Sequence, residues 1–249
     1  MMDNMILEAS HISKLYGLNK KEAVRLMDKG LEKGEVYKKT GVTVALWDVS
    51  FKIKRGEIFA IIGLSGSGKS TLVRCFNQLL KPTSGKILFE GKEIDSFSKN
   101  ELMEFRRNKI SMVFQNFGLM SHRNVIDNVA YGLEVKGISR EERERRALEM
   151  TRIVGLEGWE RKPIESLSGG MKQRVGLARA LASDPEVLLM DEPFSALDPL
   201  VRKEMQFELL SLQRKLEKTV VFITHDINEA FKLGDTVAIM RDGKIIQID

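Results

Sequence analysis

Apolar and polar positions along this chain change their period several times, and each change predicts an element. Residues 5–16 read as a first strand ending at Lys14-Leu15-Tyr16-Gly17. Further on, Trp47, Val49, Phe51 and Ile53 point one way and Asp48, Ser50, Lys52 and Lys54 the other, which predicts a half-exposed antiparallel strand. Residues 18–40 interrupt this pattern. Asn19 with Glu22 forms a capping-box signal, Val24 and Met27 supply a short apolar face, and Gly30 would close the helix. A second polar segment carrying Val36 and Tyr37 ends at Thr40-Gly41. This lysine-rich insert is expected to decorate the surface.

The run Ile58-Phe59-Ala60-Ile61-Ile62 is apolar throughout and reads as a buried strand, and residues 86–89 and 110–114 read as further strands. From 117 to 168 the pattern is helical without a long apolar strand, so a separate helical subdomain is expected. Beyond it a helix over 170–183, a strand Val187–Met190, a helix over 199–216, a strand Val220–Ile223 and a helix over 227–233 alternate. Asp198 before Pro199, and Asp226 with Glu229, are helix-start signals. Asp242-Gly243 predicts a hairpin between residues 236–240 and 244–248. Such alternation implies an α/β fold with a parallel sheet covered by helices on both faces.

At 249 residues, 43% of them hydrophobic, the chain can build one core with an appended subdomain. No run approaches the roughly 20 apolar residues that cross a bilayer, and the N-terminus has no apolar leader, so a soluble chain is expected. The single cysteine, Cys75, excludes an internal disulfide and reads as a core thiol. The net charge of +5 permits contact with an anionic surface, but basic residues are interspersed with acidic ones. In Ser139–Arg146, Glu141/Arg145 and Glu142/Arg146 are expected to pair at i,i+4 on a solvated helix. No basic stripe with interleaved aromatics is present, so no nucleic-acid partner is expected.

The strongest chemical signal is Gly63-Leu64-Ser65-Gly66-Ser67-Gly68-Lys69-Ser70-Thr71, set between the apolar strand and the helix opening at Leu72-Val73. Its glycines let successive N–H groups turn toward phosphate oxygens, and the helix adds the positive end of its dipole. Lys69 would reach the β- and γ-phosphates and Ser70 would ligate Mg²⁺. A second signal is Val187–Met190 followed by Asp191-Glu192, which sets two carboxylates at the carboxyl edge of a sheet. Asp191 would hold Mg²⁺ and Glu192 would orient or deprotonate the attacking water. His11 and His122 fit no motif, and the spacing of the histidines and Cys75 suggests no zinc site.

Leu167-Ser168-Gly169-Gly170-Met171-Lys172-Gln173-Arg174, upstream of Asp191-Glu192, resembles the signature of the ATP-binding cassette (ABC) ATPases. Gln115 after Val113-Phe114, the loop Ser195-Ala196-Leu197-Asp198, and His225 after Phe222-Ile223-Thr224 complete the family's ordered set between residues 63 and 225. The resemblance implies a P-loop NTPase fold: a RecA-like core from 1–116 and 176–249 with an antiparallel β subdomain, and a helical subdomain over 117–175, all one domain of 1–249. It also implies ATP and Mg²⁺ as cofactors, with Gln115 touching metal and lytic water and His225 bonding the γ-phosphate. Tyr16 would stack on adenine. Two copies would dimerise head-to-tail, Ser168, Gly169, Gly170 and Asp198 of one completing the site of the other.

Within the family the sequence is most similar to the separate ATPase of bacterial importers for glycine betaine, proline or other quaternary amines. The insert ending Lys39-Thr40-Gly41 and the run Arg106–Gln115 carry this likeness. It implies a peripheral subunit at the cytoplasmic face of the cell membrane, working with permease subunits and, indirectly, an extracytoplasmic binding protein. An importer of another small polar solute such as an amino acid, or a soluble family member acting on nucleic acid or ribosomes, are the other readings. Two departures stand out. Pro193 stands where alanine is common, and the sequence ends at Asp249, before the pair of CBS domains into which the group commonly continues.

Overall fold

In chain order the elements begin with β1 (Met5–Tyr16), α1 (Lys20–Asp28), α2 (Lys33–Thr40), β2 (Thr43–Lys54), β3 (Ile58–Ile62), α3 (Lys69–Phe76), β4 (Ser84–Phe89), β5 (Lys92–Glu93), α4 (Lys99–Asn108) and β6 (Ile110–Val113). They continue with α5 (Val125–Val135), α6 (Arg140–Ile153), α7 (Gly169–Ala182), β7 (Val187–Asp191), α8 (Pro199–Leu216), β8 (Thr219–Thr224), α9 (Ile227–Leu233), β9 (Thr236–Arg241) and β10 (Lys244–Ile248). The structure, a computed structural model, describes residues 4–195 and 197–249; Ala196 of the Ser195–Asp198 loop and residues 1–3 of the expected domain lie outside the described residues. Two compact units result, one running up to Leu102 and resuming at His225–Asp249, the other spanning Met103–Thr224.

The first unit contains the antiparallel sheet β2-β1-β4-β5, and β3 pairs parallel with β9, which returns antiparallel as β10 round Asp242-Gly243, as the sequence predicts. The alternation in β2 is not the simple one expected. Asp48 adopts a left-handed φ of 51°, opposite His11 at 52°, and the ladder slips there. That bulge moves the buried set from Val44 and Leu46 to Val49, Phe51 and Ile53, leaving Trp47 half-buried on neither series. The exposed His11 Nδ1 lies 2.7 Å from Asp48 Oδ1, which ties the two bulged residues. Phe51 stacks on Phe59 with ring centroids 5.0 Å apart and meets the edge of Phe76 at 5.9 Å, which joins β2, β3 and α3.

The insert corrects two expectations. Asn19 makes no side-chain cap; the reciprocal box forms instead at α2, between Glu32 and Glu35. Nor is the insert a decoration. Ala23 and Val36 are fully buried and Met27 nearly so, in one cluster with Leu15, Val42 and Val44 against which Trp47 packs. Those apolar residues are too few for two short helices to stand alone, so the sheet supplies the rest of their core.

In the second unit β6, β7 and β8 form a parallel ladder, Ile110 facing Val187 and Val187 facing Thr219. Every residue of β7 and β8 is buried, the pattern of strands covered on both faces. On α6, Glu142 takes both Arg145 at 2.7 Å and Arg146 at 3.4 Å; the expected Glu141/Arg145 pair is replaced by this i,i+3 contact, which leaves Arg145 spoken for. Asp198 caps α8 through Leu200 N and Val201 N, and Asp226 caps α9 in the first unit, as expected. No described helix is long and apolar enough to cross a membrane.

Candidate functional site

In the first unit the five buried residues of β3 bring the chain to Gly63, and α3 opens six residues later at Lys69. A side chain at Gly63 would run into the Met240 carbonyl and the Ser67 hydroxyl. At Gly68, with φ of +105°, it would meet the Ala45 carbonyl and Leu46. Only glycine lets the loop pass these neighbours, which explains the spacing of the motif. Gly243 N donates to Ser67 O at 2.9 Å, so the β9–β10 hairpin braces the loop from behind. The tip, Leu64 to Gly66, is exposed.

The Lys69 ammonium is buried and donates to the carbonyls of Gly63 at 2.7 Å and Leu64 at 3.0 Å, so its charge is folded back over the loop. Ser67 Oγ is buried and has no hydrogen-bond partner among the described residues. Gly68, the N-cap, has no side chain with which to satisfy the first N–H groups of α3. An orphaned Ser67 hydroxyl, beside a helix start without a side-chain cap and a buried ammonium, suits a bound phosphate chain. Tyr16, at the end of β1, is partly exposed, and the Lys14 ammonium sits 5.1 Å from its ring centroid. His225, the first residue after β8, is exposed.

In the second unit β7 ends at the buried Asp191, and the next residue, Glu192, turns into the left-handed region with φ of 47°. Its N–H donates to Ile223 O at 3.1 Å, holding the turn to β8. Gln115, two residues past β6, reaches the same place: its Nε2 is 3.4 Å from Glu192 Oε2. Parallel pairing of β6 with β7 is what brings these two together. At α7, Ser168 is the N-cap and its hydroxyl accepts from Met171 N at 3.3 Å. Gly169 is exposed, and a side chain at Gly170 would meet Val201 at 2.5 Å.

Oxygen donors dominate the expected metal set of Ser70, Gln115 and Asp191. Among the described residues no three His, Cys, Asp or Glu side chains cluster to hold an ion alone. One carboxylate with a hydroxyl and an amide suits Mg²⁺, which commonly takes its remaining ligands from phosphates and water.

Two residues that the sequence reading passed over support these segments. Arg179 of α7 and Asn128 of α5 both fix the loop that follows Gln115. For Arg179 the signal was a charged residue inside the apolar stretch Leu177-Ala178-Arg179-Ala180-Leu181, whereas Asn128, next to Asp127, gave none.

A glycine-rich phosphate loop between a buried strand and a helix, with acidic residues closing a buried parallel strand, defines the P-loop nucleotide-binding class. Residues 46–195 match the family model described as ABC transporter, and the chain belongs to that family. It is 52% identical over 97% of its length to the glycine betaine transport ATP-binding protein OpuAA of Bacillus subtilis, of which it spans 58%. The trimethylamine N-oxide transport system ATP-binding protein TmoW of Pelagibacter ubique is 45% identical over the whole chain, which covers 72% of that protein. Among solved structures, a dimeric post-hydrolysis state of the ATP-binding cassette MJ0796 with ADP and Pi superposes with a TM-score of 0.82 at 33% identity, covering 98% of both chains.

Proposed function

We propose that this chain hydrolyses ATP as the energy-supplying subunit of an importer for a quaternary amine such as glycine betaine. The observation that carries the reading is the loop of Gly63, Ser65, Gly66, Ser67, Gly68, Lys69, Ser70 and Thr71, with its orphaned Ser67 hydroxyl and buried Lys69 ammonium. The relatives named for glycine betaine and trimethylamine N-oxide transport support the solute class.

In this reading the loop N–H groups and Lys69 grip the phosphate chain and Tyr16 stacks on adenine. Ser70, Gln115 and Asp191 are the residues that would hold Mg²⁺, which would supply positive charge to offset that of the phosphate chain. Glu192 accepts a proton from the attacking water, while Gln115 and His225 hold that water and the γ-phosphate in line. Ser168, Gly169, Gly170 and Asp198 act across a head-to-tail homodimer, so nucleotide forms part of the interface and its cleavage loosens the pair. The helical subdomain, 117–175, would face permease subunits at the cytoplasmic side of the membrane, and an extracytoplasmic binding protein would deliver the solute.

Two measurements test this. Purified protein should bind ATP in a magnesium-dependent manner and hydrolyse it; absence of both would remove the enzymatic reading. Radiolabelled glycine betaine uptake should then be restored by this chain in cells lacking the ATPase of their own betaine importer. Uptake of an amino acid in place of betaine would move it to a different solute class.

A further inference from the structure

Between Val175 and Ala182 helix α7 carries one charged residue, Arg179, among Leu177, Ala178, Ala180 and Leu181. The guanidinium is half-buried and, among the described residues, no carboxylate lies within ion-pair distance of it. Burial pushes its pKa below the ordinary value, with nearby Tyr131 opposing. Its donors go instead to backbone. Nη1 donates to the Gly118 carbonyl and Nη2 to the Phe117 carbonyl, each at 2.7 Å.

Those two carbonyls belong to an unusual pair. Phe117 and Gly118 both lie in the left-handed region, with φ of 57° and 56°. A bulky residue is strained there and persists only when its surroundings hold it. The turn is closed by Phe117 N to Phe114 O at 2.9 Å and Gly118 N to Asn116 O at 2.6 Å, and it begins directly after Gln115. Its far end is fixed separately: Asn128, fully buried, accepts from Met120 N at 2.8 Å and donates to the Met120, Arg123 and Asn124 carbonyls. The near end, which carries Gln115, is thus tied by side chain to α7 through Arg179.

We propose that Arg179 is a positioning residue that sets the turn after Gln115 and fastens it to the helix headed by Ser168, so that a shift of either is felt by the other. The catalytic part of this rests on the ATPase reading; the mechanical part does not. Because a guanidinium fork spans two adjacent carbonyls and an ammonium serves as a single point charge, lysine is a poor replacement.

The mechanical part is read by amide hydrogen exchange without nucleotide. Arg179→Ala should raise exchange about tenfold or more both at residues 116–120 and in the first turn of α7, with Arg179→Lys in between. Faster exchange confined to the loop, or none, would overturn the tie. The catalytic part is read by a double-mutant cycle in kcat. Arg179→Ala should slow turnover about tenfold while ATP affinity changes less than about twofold, and in a Gln115→Ala background the same change should have little further effect. Equal losses in both backgrounds, or a parallel loss of ATP affinity, would make Arg179 a structural residue only. Should Arg179→Ala not fold, Arg179→Lys and Arg179→Gln run through the same measurements. Wild-type protein that hydrolyses no ATP would sink the enzymatic reading and leave the exchange result to decide the tie.

Discussion

Gln115 Nε2 lies 3.4 Å from Glu192 Oε2, a loose contact between a residue two past the end of β6 and the one that follows β7. It exceeds the usual 2.7–3.2 Å of an N–H···O bond, and catalytic contacts are often long before substrate binds. Glu192 is held there by a left-handed φ of 47° and the bond from its N–H to Ile223 O, which lets little backbone motion reposition it. Glu192→Gln retains shape and removes the base. Turnover should fall by roughly 10² to 10⁴ while ATP affinity stays near wild type, as read by steady-state hydrolysis beside equilibrium binding. A variant that hydrolyses at full speed would exclude Glu192 as the base.

Ser168 caps α7 from the second unit, while Lys69 opens α3 in the first. If each nucleotide site takes one from each copy, chains carrying Lys69→Ala mixed with chains carrying Ser168→Ala can assemble one intact site per heterodimer. Neither variant alone should hydrolyse ATP above a few per cent of wild type, and the mixture should recover a substantial fraction. Recovery that fails at every mixing ratio would mean both residues serve one site on one chain.

Cys75 supplies a prediction about stability. Its thiol is buried on α3, and desolvation, the largest influence, pushes its pKa from 9.0 to about 12, with Lys14 opposing and Asp95 adding. A raised pKa means the folded chain keeps the proton longer than the unfolded chain. The stabilisation is therefore complete below pH 9.0 and is lost as pH rises from there toward about 12. Cys75→Ala should flatten this part of the decline in urea midpoint relative to wild type. At neutral pH a thiol reagent should label only the unfolded chain; fast labelling of native protein would contradict the burial.

Much of this was legible in residue order. The phosphate loop, the strand ending in Asp191-Glu192 and the caps at Asp198 and Asp226 are local signals, each fixed by residues within a turn of one another. What escaped depends on neighbours far along the chain. The bulge at His11 and Asp48 comes from pairing across 37 positions, and it breaks an alternation that looks regular in Trp47–Lys54. Glu32 was missed as a cap because glutamate is an unusual one, whereas Asn19, a common one, makes no such bond. Arg179 interrupts an apolar helical stretch, but what it bonds could not be read from that, since its partners are carbonyls, which every residue has.

The insert offers the sharpest contrast between the two readings. A decorative hairpin could lose any side chain with less than about 0.5 kcal/mol of effect, as surface positions generally do. Met27, however, is only 7% exposed and shares a cluster with Ala23, Val36 and Leu15, the last of which precedes Tyr16 in β1. Met27→Ala should therefore cost about 2 kcal/mol or more in urea unfolding, the lower part of the range for buried methionine because the cluster is small and near the surface. Leu18, fully exposed where the insert begins, is the internal control, and Leu18→Ser should be silent. The two should also separate in function. Loosening the cluster frees the end of β1, so Met27→Ala should weaken ATP binding more than it slows turnover at saturating nucleotide, and Leu18→Ser should do neither. Equal and negligible stability changes in both variants would return the insert to the surface role that its lysines suggest.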